Sequence, residues 1–197
     1  MSAGKPIILA SASPRRRQLL QGVGVAFEAI PSQIEEDEIP GEPPRDHVMR
    51  LSRAKAIAVG STQVKDRWVL GADTIVCIDG ELLGKPGSEK EAWGMLKKLS
   101  GREHKVVTGF FIYNPERKQS VGDAVESRVH VKELNDREIE GYIRTGEPFD
   151  KAGGYAVQGI GMFMVEKIVG SHTNVIGLPI CEVVAVLREL KAIRFLE

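Results

Sequence analysis

A short apolar strand that runs straight into a hydroxyl- and arginine-rich helix start constrains this chain most. Ile7-Ile8-Leu9-Ala10 carries no polar side chain and predicts a buried strand. Ser11-Ala12-Ser13-Pro14-Arg15-Arg16-Arg17 follows, and Gln18-Leu19-Leu20 opens a helical pattern. Ser13 suits the N-cap, and Pro14 suits the first helical position, where a missing N–H is no loss. Free backbone N–H groups, the positive end of the helix dipole and planar guanidinium groups all favour a phosphate there. A plain capped helix with a solvated basic first turn fits the same residues.

The rest of the chain alternates between helix and strand signals, which points to an α/β class with a mixed sheet flanked by helices and polar loops meeting in a cleft. Residues 26–30 predict a strand. Residues 45–59 predict a helix with Val48, Leu51, Ala54 and Ile57 or Ala58 on its apolar face. Trp68 to Ile78 predicts a long strand, and Asp79-Gly80 signals a type I′ hairpin returning through Glu81-Leu82-Leu83. Ser88 and Glu91 form a capping-box signature for a helix with Ala92, Leu96 and Leu99 inward. Residues 104–114 and 119–134 predict two β runs, Asn135 caps a short helix, and Met162 to Val169 predicts another strand. Pro179 opens a last helix with Ile180, Val183, Val184, Leu187 and Leu190 on its apolar side.

Composition excludes several classes. Over 197 residues the formal charge is +0, so no global basic field holds a nucleic acid polymer. No apolar run approaches the roughly 20 residues of a membrane span, and the N-terminus does not read as a signal peptide. A soluble cytoplasmic protein is expected. Cys77 and Cys181 both sit in apolar runs and read as core thiols, and the His and Cys show no zinc-ligand spacing.

A few residues break their local pattern. Asp73 lies within Val69-Leu70-Gly71-Ala72-Asp73-Thr74-Ile75-Val76, where its neighbours predict burial. A buried carboxylate needs a cation, a metal or several donors, which makes Asp73 a catalytic or metal-binding candidate; a solvent-facing strand end is the other reading. The acidic run Glu35-Glu36-Asp37-Glu38 offers further carboxylates, or is a solvated loop. Lys55 reads by default as a surface lysine, and Lys85, in Gly84-Lys85-Pro86, as a backbone-restrained phosphate-binding candidate. Asp150-Lys151-Ala152-Gly153-Gly154-Tyr155 is a glycine-rich loop, and Gln158 beyond it can offer both donor and acceptor to a base edge.

Together these stretches resemble the Maf family of nucleotide pyrophosphatases. The resemblance rests on Ser11 to Arg16, Ile34-Glu35-Glu36, Ala54-Lys55-Ala56, Gly71-Ala72-Asp73-Thr74, Gly84-Lys85-Pro86, Leu99-Ser100-Gly101 with His104 and Thr108-Gly109, Asp150 to Tyr155 with Gln158-Gly159, and Asn174 to Pro179. They fall in family order over nearly the whole chain.

The resemblance implies a single domain over residues 1–197, or two lobes around a deep cleft, with an α/β fold similar to the inosine triphosphate pyrophosphatases. It implies hydrolysis of a nucleoside triphosphate to the monophosphate and pyrophosphate, with Mg²⁺ or Mn²⁺, in a homodimer. Arg15, Thr74 and Gln158 resemble the branch acting on dTTP and UTP. Ser11, Ser13, Arg15 and Arg16 are then expected to grip the phosphates, with Lys55 and Lys85 adding charge. Asp73 is expected as general base or metal ligand, and Glu36, with Glu35 second, as the remaining metal ligands. A nucleotide-binding regulator of septum formation, or a pyrophosphatase for modified or non-pyrimidine nucleotides, are the alternative expectations.

Overall fold

The computed structural model describes residues 5–37, 39–62 and 66–196. Glu38 of the acidic run lies outside the described residues. Seven strands form one mixed sheet in the order β2-β1-β3-β5-β6-β7, with β4 paired to β3. The strands are Ile7–Leu9 (β1), Phe27–Ala29 (β2), Val69–Ile78 (β3), Glu81–Leu83 (β4), Glu103–Asn114 (β5), Gln119–Val131 (β6) and Val165–Val169 (β7). β1 runs parallel to β2 and β3, whereas β3–β4 and β6–β7 are antiparallel. The expected mixed sheet flanked by helices is therefore present.

The chain divides into two units. The first comprises Met1–Asp73, Thr108–Val125 and Gly177–Glu197. Its central strand β1 is apolar and buried on both faces, as a strand covered from two sides must be. Ile7 and Leu9 pack with Leu20 of α1 (Pro14–Gly22) and with Ile180, Val183 and Leu187 of α6 (Ile180–Glu189). Ile8 and Ala10 point the other way, onto Ala56 and Val59 of α2 (Pro44–Gly60). The period of two along β1 thus assigns alternate residues to opposite helical layers.

Two glycines let α2 lie flat on the sheet. A Cβ at Gly71 would stand 2.2 Å from the Ser52 carbonyl oxygen and 2.8 Å from the Ala56 nitrogen. One at Gly109 would stand 2.6 Å from the Val48 carbonyl oxygen. This approach rotates the buried face of α2 away from the expected one. His47, Val48, Leu51, Ser52, Lys55, Ala56 and Val59 are buried, while Ile57 is 37% exposed and Ala54 and Ala58 are half-buried. The small Ser52 and Ala56, not Ala54 and Ile57, meet the sheet.

The second unit comprises Thr74–Val107 and Glu126–Ile176. The β3–β4 hairpin turns at Asp79 and Gly80, whose φ angles of 53° and 80° are those a type I′ turn needs. α3 (Glu89–Leu99) buries Ala92, Leu96 and Leu99 and packs on α4 (Asp136–Arg144), which buries Ile139, Tyr142 and Ile143. Asn135 caps α4 with a full capping box. At α3 the box is only half formed, because Glu91 takes the Gly87 N–H instead of that of Ser88. The strand expected from Met162 begins only at Val165, and Gly159–Met164 is a 3-10 turn. A short helix, α5 (His172–Ile176), ends the unit. Cys77 is buried as expected, but Cys181 of the first unit is exposed, since α6 turns Ile180, Val183, Val184 and Leu187 inward. Among the described residues no helix is long and apolar enough to cross a membrane.

Candidate active site

The first unit gathers most of the charged candidates. The Ser13 hydroxyl caps α1 by accepting from the Arg16 N–H at 3.4 Å, with Pro14 opening the helix. The Ser13 N–H donates to the Ser11 hydroxyl oxygen at 3.1 Å, which also accepts from Arg16 Nη1 at 3.3 Å. Arg16 Nε donates to the Gly177 carbonyl at 2.8 Å, so the guanidinium is held from two sides. Burial lowers the Arg16 pKa and Arg15 adds to that, while Asp73 and Glu36 act to raise it. The first turn of α1 carries Arg15, Arg16 and Arg17 and no acidic residue. Cations at the positive end of a helix dipole oppose helix stability, by about 0.3–1 kcal/mol each, so these arginines weaken the helix start rather than stabilise it.

Lys55 and Asp73 explain each other. Both are buried, at 5% and 6% exposure, and Lys55 Nζ lies 2.6 Å from Asp73 Oδ1. The same ammonium lies 2.7 Å from Glu36 Oε1, whose side chain remains 49% exposed. One cation therefore holds together two carboxylates that would otherwise repel. The default reading of Lys55 as a surface lysine is corrected, because α2 turns it inward onto β3. Register places this cluster. Leu9 is opposite Leu70, so Ser11 and Asp73 both lie beyond the carboxyl end of β1, where open α/β sheets hold their ligands.

Glu35 is exposed, and it is Glu36 that pairs with Lys55. The loop carrying Glu36 is fastened to α2 by Arg50. Its Nε and Nη2 donate to Glu42 at 2.7 and 2.6 Å, and Nη2 also reaches the Asp37 carbonyl at 3.0 Å. Arg50 holds the Glu42 carboxyl below its ordinary range.

A model of the Maf-like protein family matches residues 6–190. The chain belongs to the Maf family. It is similar to a dTTP/UTP pyrophosphatase of Geobacter sp. strain M21, 54% identical over 187 residues, which cover 95% of this chain and 96% of that protein. A dTTP/UTP pyrophosphatase of Geotalea uraniireducens is 53% identical over 193 residues, 98% of this chain and 99% of that one. Among solved structures, the Ham1 protein of Staphylococcus aureus aligns over 81% of this chain and 79% of its own at 15% identity and a TM-score of 0.48.

The remaining candidates of this Maf chain belong to the second unit. Thr74 follows Asp73 and is half-buried, Lys85 is exposed after the hairpin, and Gln158 is half-buried before the 3-10 turn. Two quoted motifs of this unit meet: the Gly153 N–H donates to the Gly84 carbonyl at 2.9 Å, and a Cβ at Gly154 would stand 3.6 Å from Pro86. Tyr155 is hydrogen-bonded to His104 Nε2 at 2.6 Å, both buried. Burial, with the charge of His130, lowers the His104 pKa to about 4. Sequence reasoning quoted Gly71 and Gly177 within motifs without a role for either. The role of Gly71 was visible only as a glycine in an apolar strand, a sign of close backbone approach. Arg50 and Glu42 carried no such signal.

Proposed function

We propose that this Maf protein hydrolyses dTTP and UTP to the nucleoside monophosphate and pyrophosphate. The names of relatives more than half identical along nearly the whole chain support the substrate. The observation that carries the chemistry is the buried Lys55–Asp73 pair, shared with Glu36, in the same unit as the Ser11–Arg16 turn. An apolar pair of the same shape would serve stability as well or better, so the charges are kept for a reaction.

In this reading the α1 turn receives the phosphates. Ser11 accepts in its hydrogen bonds and can donate its own proton to a phosphate oxygen, as can Ser13. Arg15 and Arg16 supply positive charge where negative charge builds up on the phosphate oxygens. Lys55 fixes the Asp73 and Glu36 carboxylates in place. Asp73 takes the proton of the attacking water, or would hold a metal ion. Among second-unit residues, Lys85 is the proposed phosphate contact, and Thr74 and Gln158, like Arg15, are the proposed pyrimidine readers.

Among the described residues no three His, Cys, Asp or Glu side chains gather as a metal cage. The hard oxygen donors Glu36 and Asp73 nevertheless suit Mg²⁺, which is bound through one or two carboxylates and keeps its remaining positions for water and substrate phosphates. Glu36 and Asp73, with Glu35 second, would hold Mg²⁺ or Mn²⁺, which would supply charge neutralisation and a more acidic water. A cytoplasmic homodimer completes the proposal.

A nucleotide panel with Mg²⁺ or Mn²⁺, its products separated by chromatography, tests the reading. Thymidine or uridine monophosphate with pyrophosphate is expected. Diphosphate with orthophosphate, or no turnover of either nucleotide, overturns it.

A further inference from the structure

Glu147 follows α4 in the second unit, and its carboxylate serves a segment far along the chain. Oε1 accepts from the Tyr142 hydroxyl at 2.9 Å and from the Gly161 N–H at 3.0 Å. Oε2 accepts from the Ile160 N–H at 3.0 Å. These two N–H groups open the 3-10 turn Gly159–Met164. A helical turn leaves its first N–H groups without partners, and here a carboxylate 13 and 14 residues away takes them.

The backbone is wound closely on this carboxylate. Gly159 has φ +72°, and a Cβ there would stand 2.7 Å from Glu147 Oε2. A Cβ at Gly161 would stand 2.5 Å from the Ala156 carbonyl oxygen and 2.8 Å from Tyr142 Oη. Tyr142 is 2% exposed and fixes the carboxylate from beneath. Burial acts to raise the Glu147 pKa, but the Gly161 and Ile160 N–H groups and the Tyr142 hydroxyl outweigh it and leave the carboxyl below its ordinary range. An ionised acceptor therefore holds the turn.

Gln158 occupies the N-cap position of that turn, yet its side chain makes no capping bond. The carboxylate performs the cap, and the Gln158 amide is spared for another partner. We infer that Glu147 is a positioning residue for base choice, fixing the backbone that directs Gln158 toward the pyrimidine edge. This inference rests on the proposed reading of Gln158.

The test compares kcat/KM for dTTP and dCTP in the parent, Glu147→Gln, Tyr142→Phe, Gln158→Ala and the Glu147→Gln/Gln158→Ala double variant. Glutamine replaces one acceptor oxygen by a donor that faces an N–H group. The dTTP-over-dCTP ratio is expected to fall about tenfold in Glu147→Gln, the scale of one lost charge-assisted bond. Tyr142→Phe keeps the ring and removes one bond, so a smaller fall in the same direction is expected even if Glu147→Gln folds poorly. The double variant is expected to discriminate no worse than Gln158→Ala alone, because both changes remove one function. A purely structural Glu147 would lower thermal stability and activity on both nucleotides alike. An unchanged ratio in folded Glu147→Gln and Tyr142→Phe overturns the inference while leaving the pyrophosphatase intact. A parent that turns over neither dTTP nor UTP overturns the functional reading, and this inference with it.

Discussion

Gly71→Ala is expected to disable the site without touching a charged residue. The added Cβ would stand 2.2 Å from the Ser52 carbonyl oxygen and 2.8 Å from the Ala56 nitrogen, both backbone atoms of α2. Ordinary contact begins near 3.4 Å, so α2 must retreat from β3 by about 1 Å. Gly71 does not have a positive φ, so the variant tests crowding and not backbone strain. Overpacking of this kind costs about 1–3 kcal/mol, read as a lower midpoint in urea. Ser52 and Ala56 flank Lys55, so the same retreat pulls its ammonium from Asp73, now 2.6 Å away. A misplacement of about 1 Å costs on the order of a hundredfold in kcat for dTTP. Gly94→Ala is the control. It lies inside α3 with nothing within 4 Å of a new Cβ, and should stabilise by about 0.5–1 kcal/mol with activity unchanged. A Gly71→Ala protein with parental stability and turnover would refute the argument that close helix approach builds this site.

Asp73→Asn should abolish turnover while the fold and nucleotide binding persist, because Lys55 keeps Glu36 as its counter-charge; near-normal kcat would sink the catalytic assignment. Arg16→Ala and Lys85→Ala should each lower kcat/KM for dTTP by about ten- to a hundredfold, and full activity in both would place the phosphates elsewhere. His104 should contribute an acid-sensitive part of the stability. Its folded pKa of about 4 lies below the ordinary imidazole value, so protons favour the unfolded chain. The contribution is complete above about pH 6.5 and is lost as the pH falls toward 4, amounting to about 3 kcal/mol. His104→Asn should flatten that part of the urea-stability profile, and parallel profiles for parent and variant would exclude it.

Features set by neighbouring residues were legible in the sequence. The Ser13 cap, the Asp79-Gly80 turn and the inward face of α3 depend on local chemistry, and each formed as read. Features set by distant residues were not. The apolar positions of α2 fit more than one phase, and the phase was decided by Gly71 and Gly109 on strands that the helix pattern does not contain. Met162 to Met164 read as the start of a strand, but they belong to a turn whose opening N–H groups, at Ile160 and Gly161, are held by the Glu147 carboxylate. The candidate site follows the same division. Asp73 stood out because it broke a strand pattern, whereas Lys55 did not, since a lysine on a helix conflicts with nothing until its partner is known.

The two departures from good folding chemistry in the first unit lie together. Three arginines stand at the positive end of α1, and a buried lysine is shared by two carboxylates. Each alone weakens the fold. β1 ends at Leu9 while β3 continues past Leu70, so the α1 turn and Asp73 come from neighbouring parallel strands at the same end of the sheet. Arg16 feels the charges of Asp73 and Glu36, which links the two clusters electrostatically. In the proposed reading, a metal–triphosphate would bring phosphate oxygens to the arginines and a second cation to the carboxylates that Lys55 already holds. A metal–triphosphate carries both charges in one molecule, and on that reading the two departures belong together and not at opposite ends of the sheet.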